Sequence, residues 1–307
     1  MTITKRTGEW LQMIVPSEWE GMTIEDLFRN VWEAPKKLTH HFRSENKVLL
    51  EGNRVKWNSP LTAGSKLLFH LFEEETSFVT PTYHELNILF EDDHILIVNK
   101  PPFMNTHPND PDKETDSLMN AAVFYLLTNG ELTNVRHIHR LDRDTSGAIL
   151  FAKHALAGAI LDKMLEKRQI KRTYIAVVHG LFKQRKGVIN MPIGRDRHHA
   201  TRRRVSPTGQ TAVTHFQVLG ENRQKKFSIV KCWLDTGRTH QIRVHFSHAG
   251  HPLVGDTLYG GEPIINRQAL HAAKLEFIHP FTHESIICHA PFMDLPEIFQ
   301  SIDVKKI

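Results

Sequence analysis

The alternation of apolar and polar positions divides the chain into a short leading module and a longer body joined by a polar stretch. Over residues 1–75 a short helical pattern from Thr23 to Trp32 precedes strand-like runs at Val48-Leu49-Leu50, Val55-Lys56-Trp57 and Leu67-Leu68-Phe69, with Glu51-Gly52-Asn53 as a turn. From Glu73 to Tyr83 the chain reads Glu, Thr, Ser and Pro, the composition of an interdomain linker, which we place at 76–83. In the body, 84–307, Ile95-Leu96-Ile97-Val98 is a buried-strand run, ended by Asn99-Lys100-Pro101-Pro102 because proline cannot continue a central strand. A helix fits Ser117 to Asn129, with Asp116 or Ser117 as cap, apolar residues at Leu118, Ala121, Ala122, Tyr125 and Leu126, and Gly130 as the stop. Ala148–Ala152 reads as a strand, Leu156–Gln169 as an amphipathic helix and Thr173–Val178 as a strand of period two, with further strands at Ala212–Leu219 and Phe227–Leu234. No internal repeat interrupts this order. The expected fold class is α+β: a mixed α/β body around an extended, largely antiparallel sheet, preceded by a small α+β module.

Composition narrows the classes. The 307 residues are 40% hydrophobic, enough for one large domain and a small one. No segment approaches the roughly 18 uninterrupted apolar residues of a membrane span, and the N-terminus lacks a secretion signal, so we expect a cytoplasmic monomer with no membrane partner. Cys232 and Cys288 alone cannot build a disulfide framework or a thiolate metal site. The net charge of +5 favours a polyanionic partner only weakly. Its distribution says more: Arg195, Arg197, Arg202, Arg203 and Arg204 fall in one short run with His198, His199 and a single acid, Asp196. Alone, such a run reads equally as a solvated loop.

Ionisable groups are densest from His137 to Gly147, where His137, His139, Arg140, Asp142, Arg143 and Asp144 precede a Thr-Ser-Gly turn. A carboxylate among arginines is favoured in its charged form and can act as nucleophile or base. The same pattern also suits a structural ion-pair turn.

The run His139-Arg140-Leu141-Asp142-Arg143-Asp144-Thr145-Ser146-Gly147 resembles the signature of RluA-type pseudouridine synthases. Three more passages follow the family's order: ILIVNKPPFMNTHP from Ile95, KRTYIAVVHG from Lys171 and LDTGRTHQIRVHFSHAGHPLVGDTLYG from Leu234. The resemblance implies conversion of uridine to pseudouridine in structured RNA, with 23S ribosomal RNA as the expected substrate and transfer RNA as the alternative. Uracil is detached at nitrogen 1, turned and rejoined through carbon 5, so no cofactor is needed. It also implies residue roles. Asp142 is the catalytic carboxylate, Arg243 pairs with it, and Tyr174 stacks on the flipped base. Arg140 fills the space that the base leaves, as a planar guanidinium can. Lys100, Arg143 and Arg238 are expected to contact RNA. Arg195, Arg202, Arg203 and Arg204 fall where the family has a basic, mobile hairpin that grips phosphate. The leading module, helix then hairpin, resembles the S-four-like RNA-binding domain, with Lys36, Lys37, His40, His41 and Arg43 as its basic face.

His240, His245, His248 and His251 also raise a metal site, but their spacing is no recognised zinc pattern and we expect none. The passage around Asn105 departs from the family, where a small residue or glycine and a Val-Val-like pair are common. That departure bears on which uridine is accepted. The competing readings are an RNA-binding assembly factor without catalysis and a histidine-based metallohydrolase.

Overall fold

The computed structural model describes residues 4–73, 79–131, 135–294, 298–299 and 302–307, and two main sheets organise it. The first has five antiparallel strands in the order Thr4–Thr7, Trp10–Ile14, Lys66–His70, Val48–Leu50, Asn53–Arg54. Alternation sends Leu11, Met13, Leu67 and Phe69 to one buried face. Over that face lies a helical segment opened by a capping box. Thr23 Oγ1 accepts from the Asp26 N–H at 3.1 Å while the Asp26 carboxylate accepts from the Thr23 N–H at 3.0 Å, satisfying donors a helix start leaves open. The segment runs as Ile24–Asp26 and then, with wider turns, Leu27–Val31. Phe28 is its anchor, with ring centroids 4.9 to 5.2 Å from Trp57, Trp32 and Phe42.

Three local expectations change. Val55-Lys56-Trp57 is a turn rather than a strand, because Trp57 rotates its ring onto Phe28. Lys36–Ser44 forms a helix that periodicity did not predict, since Phe42 is its one buried residue. Strands Thr4–Thr7 and Trp10–Ile14 were also not predicted. Residues 76–78 of the expected linker lie outside the described residues. Further along, the Thr80 carbonyl accepts from Asn120 Nδ2 at 2.7 Å and the Thr82 N–H donates to the Asn120 carbonyl.

The second sheet has ten strands. Ile95–Lys100 and Ser146–Ala152 are buried at every position, as a strand covered on both faces must be. Lys171–His179 is buried without a break from Thr173 to Val178, so its expected period-two exposure is absent for the same reason. Flanking helices occupy Leu118–Thr128, capped by Ser117, and Ala155–Glu166, where His154 Nδ1 accepts from the Ala157 N–H at 3.2 Å. At the centre lies a strand not predicted, Leu270–Ile278. It runs antiparallel to Lys171–His179 on one side and parallel to Ser146–Ala152 on the other, the one parallel pairing of the described strands. Gly147 meets Ala272 at that junction with φ +117; an added Cβ would sit 2.3 Å from the Ala272 carbonyl oxygen, so only glycine fits.

The two parts share a core. Trp32 packs near Phe281 with ring centroids 6.4 Å apart, and Arg6 lies 4.3 Å over Phe72 while pairing with Asp93 at 3.3 Å. Phe72 abuts His94 and His154, whose rings are hydrogen-bonded at 2.9 Å. Burial pushes His94 down to about 3 and His154 well below the ordinary imidazole range, so both are neutral in the fold.

Candidate active site

Between the short strand Arg136–His137 and the strand Ser146–Ala152, the chain crosses the sheet edge in a loop anchored from behind at nearly every residue. Thr106 Oγ1 brackets Leu141, accepting from its N–H at 3.2 Å and donating to its carbonyl at 3.1 Å. The Asp142 carbonyl accepts from the Thr145 N–H at 3.0 Å, closing a turn. Lys100 Nζ donates to the Arg143 carbonyl at 2.9 Å, Arg267 Nη1 to the Asp144 carbonyl at 3.1 Å, and Gln268 Nε2 to Thr145 Oγ1 at 3.1 Å. Ser146 Oγ accepts from Arg267 and donates to His271 Nδ1 at 2.8 Å.

This network corrects the expectation for Lys100. Its side chain is fully buried, and Nζ also donates to the carbonyls of Pro101 at 2.8 Å and Met104 at 2.7 Å. Burial lowers it to about 7. Three carbonyls enclose the ammonium, so Lys100 fastens two loops and does not reach RNA.

Asp142 stands out from the anchored loop, half-buried. Arg243, on the helix Gln241–His248, donates from Nη1 to Asp142 Oδ2 at 3.0 Å. The same guanidinium grips Asp256 with two bonds, Nε at 2.7 Å and Nη2 at 2.8 Å. Burial alone would favour loss of its proton; the bonds from Asp256 and the charge of Asp142 outweigh it and raise Arg243 above the ordinary arginine value. Beneath it, 5.0 Å away, lies the Tyr259 ring. Tyr259 Oη accepts from the Arg203 N–H at 2.9 Å and shares a hydrogen bond with His240 Nδ1 at 2.8 Å, and His240 Nε2 lies 3.8 Å from Asp142 Oδ2. His240 reaches this position through a left-handed backbone, φ +59.

A cleft of about 690 Å³ opens beside Asp142, lined by Tyr174, Leu234 and Ile242 with Arg140, Arg172 and Arg238. Tyr174 is 4% exposed, and burial raises its hydroxyl above the usual phenol value, with Arg172 nearby acting against that shift. The structure therefore brings Asp142, Tyr174, Arg243 and the exposed Arg140 to one opening. A second cleft of about 400 Å³, mostly polar, adjoins it, with Arg140, Asp142, His240 and Arg243 as shared walls.

The remaining basic residues lie at varied distances from the chemistry. Arg143 is exposed and pairs with Asp144 at 3.4 Å, and Arg238 donates from Nε to the Thr211 carbonyl at 3.1 Å. The basic run is a hairpin, with Ile193–Arg195 paired to Arg203–Val205 and Arg195 opposite Arg203. Arg202 and Arg204 point to solvent, and the Arg202 guanidinium lies 5.7 Å over Tyr259. Lys36, Lys37 and Arg43 are exposed on the helix Lys36–Ser44, away from the cleft; Arg43 pairs with Glu25 and lies 4.8 Å over Trp57. The four histidines that suggested a metal diverge. His245 is buried between Thr214 and the Met191 carbonyl, and His251 stacks on Phe182 at 3.9 Å. Among the described residues, no group of three or more His, Cys, Asp or Glu could hold a metal ion, and no helix is long and apolar enough to cross a membrane.

Sequence reasoning missed Asp256, His240, Tyr259, Arg172, Thr106, Arg267 and Gln268. Asp256 and Tyr259 lie inside the passage that carried the resemblance, and the turn composition GDTLYG was a signal for them. Thr106 lies in another of those passages, ILIVNKPPFMNTHP, whereas Arg267 and Gln268 fall outside them all and gave none.

Comparisons with known proteins bear on the family. Residues 94–248 match the family described as RNA pseudouridylate synthase, and residues 11–67 match the RluD ribosomal pseudouridine synthase N-terminal domain. The Bacillus subtilis protein named "Uncharacterized RNA pseudouridine synthase YhcT" is 49% identical over 286 residues, 93% of this chain and 94% of its own length. Ribosomal large subunit pseudouridine synthase D of Haemophilus ducreyi is 36% identical over 85% of this chain and 86% of that protein. Among solved structures, human RNA Pseudouridylate Synthase Domain Containing 1 aligns with a TM-score of 0.56 and 27% identity, over 68% of this chain and 84% of its own. With a family match across half its length and a relative of 49% identity across nearly all of it, the chain belongs to the RNA pseudouridylate synthase family, enzymes that isomerise uridine in RNA.

Proposed function

We propose that this enzyme converts uridine to pseudouridine in large-subunit ribosomal RNA, 23S RNA, with Asp142 as the nucleophile. The observation that carries this reading is the Asp142 carboxylate, held at 3.0 Å by Arg243 at the mouth of a cleft walled by Tyr174. In the reaction the bond from ribose C1′ to N1 breaks, the uracil turns, and a bond from C1′ to C5 forms; a proton leaves C5 and N1 gains one. The product is an isomer, so no oxidant, reductant or group donor enters.

Each residue then has a task. Extruding a stacked base costs about a few kcal/mol, and Arg140, exposed at the cleft wall, fills the gap and stacks on its neighbours. Tyr174 receives the uracil face, a contact of roughly 1–3 kcal/mol. Arg243 fixes the carboxylate against both Asp142 and Asp256, an arrangement that suits a bidentate cation. The Arg195–Arg204 hairpin, Arg143, Arg238 and the exposed Lys36, Lys37 and Arg43 supply phosphate contacts, the last three as part of an S-four-like RNA-binding module. Support for a ribosomal target comes from relatives named as large-subunit synthases. The same reading has the enzyme working as a monomer in the cytoplasm.

Chemical mapping of pseudouridine in 23S RNA and transfer RNA transcripts treated with purified protein tests the proposal. Product in 23S RNA is expected, lost in Asp142→Asn with RNA binding retained. A fully active Asp142→Asn, or product confined to transfer RNA, overturns the corresponding part.

A further inference from the structure

We infer that the second cleft beside Asp142 is a subsite for a nucleobase flanking the target uridine, where Asn105 and Asn266 read an exocyclic amino group. The inference rests on the uridine-isomerising reading above. At about 400 Å³ this cleft falls within the roughly 300–1,000 Å³ of small-ligand sites and shares its wall with the cleft that takes the target base. An RNA strand entering the first cleft therefore passes its neighbouring nucleotide over the second, with Arg140 between them.

Most charge in the second cleft is already committed. Arg243 is bound to Asp142 and Asp256, Arg267 to Asp294 at 2.7 and 2.8 Å, and Arg143 to Asp144. A phosphate would find those guanidiniums occupied and the carboxylates adverse. Arg140 is the exception, and it stands on the wall shared with the first cleft, where the proposed reaction uses it to fill the gap left by the target base. The other free groups include two neutral carboxamides. Among the described residues, neither the half-buried Asn105 nor the exposed Asn266 makes a side-chain hydrogen bond. A carboxamide presents a donor and an acceptor side by side, the pattern that pairs with the edge of a base. Asp144, whose Oδ1 pairs with Arg143, keeps Oδ2 as an acceptor on the same wall; it favours a base with an exocyclic amino group over uracil, whose one edge donor, N3–H, lies between two carbonyl oxygens that a carboxylate repels.

The test uses purified protein and an RNA pool in which the nucleotides on both sides of the target uridine are randomised, read by pseudouridine mapping. At one flanking position the wild type is expected to prefer adenine, cytosine or guanine over uracil by about tenfold, and Asn105→Ala and Asn266→Ala to bring that ratio close to one. Asn266 is exposed, so its variant remains informative should Asn105→Ala misfold. No flanking preference in the wild type, or a preference unchanged in the variants, overturns the inference and leaves the isomerase reading standing. No pseudouridine in any pool member overturns that reading and this one with it.

Discussion

The Asp142 loop and the Arg195–Arg204 hairpin look alike as sequence, each a short run crowded with arginine, histidine and an acid, yet they fold to opposite ends. In the loop, Thr106, Lys100, Arg267 and Gln268 pin the backbone or side chains from behind, while Arg140, Asp142, Arg143 and Asp144 reach outward. The hairpin turns nearly all its charge to solvent and is fastened at its base, by the Arg203 N–H on Tyr259. Charge density therefore does not distinguish a reactive centre from a gripping surface; the anchoring of the backbone beneath it does. The proposed function puts chemistry on the over-determined element and phosphate contact on the loosely tied one.

The sharpest way to break this contrast is Arg243→Met, which strands two carboxylates, Asp142 and Asp256. Removal of one partner from a buried pair costs about 3–5 kcal/mol, so denaturant melts should show a loss of that order together with loss of product. Arg243→Lys should recover little, because one ammonium cannot bridge both acids.

Lys100→Met comes next. Leaving three carbonyls without a donor, at about 1–3 kcal/mol each, should lower stability by roughly 3 kcal/mol and depress kcat while RNA affinity holds. Weakened affinity at unchanged stability would return Lys100 to the RNA-contacting set.

Acid should act through the buried imidazoles. His94 and His139 fold neutral, with burial holding both at about 3, whereas in the unfolded chain they take protons near 6.5. As pH falls from 6.5 toward 3 the unfolded state gains those protons first, so stability should drop by about 1.4 kcal/mol per pH unit for each group. Melts of wild type and His94→Phe at pH 7, 6 and 5 check this, with a shallower slope expected in the variant.

The smallest effect belongs to the hairpin. Arg202→Ala with Arg204→Ala should leave stability within about 0.5 kcal/mol, raise KM, and reduce the salt dependence of RNA binding by about 0.7 in log–log slope for each phosphate no longer gripped. An unchanged slope would mean that the hairpin does not touch phosphate.

What was legible follows the same division. Asp142, Arg140, Tyr174 and Arg243 could be proposed because each lies in a contiguous passage whose local order is distinctive, and the structure brings them to one cleft. The helices Leu118–Thr128 and Ala155–Glu166 could be read because their apolar faces repeat along the chain. Lys100 was misread because a lysine carries no mark of burial in its own sequence; its partners are carbonyls, which every residue has. The central strand Leu270–Ile278 was overlooked although Ala273 to Phe277 alternate apolar with polar; its first half, Leu270 to Ala273, is buried at every position, His271 included, so the alternation is short. Arg267, Gln268 and Thr106 act from far along the chain, through contacts that only the fold creates.

That central strand also sets when the enzyme becomes active. A chain leaves the ribosome N-terminus first, so Asp142, Tyr174 and Arg243 all emerge before Leu270–Ile278, the strand that seats the Asp142 half of the sheet beside the Tyr174 half. Until it arrives, the reacting groups have no common frame. The site can therefore be assembled only after synthesis has passed residue 278.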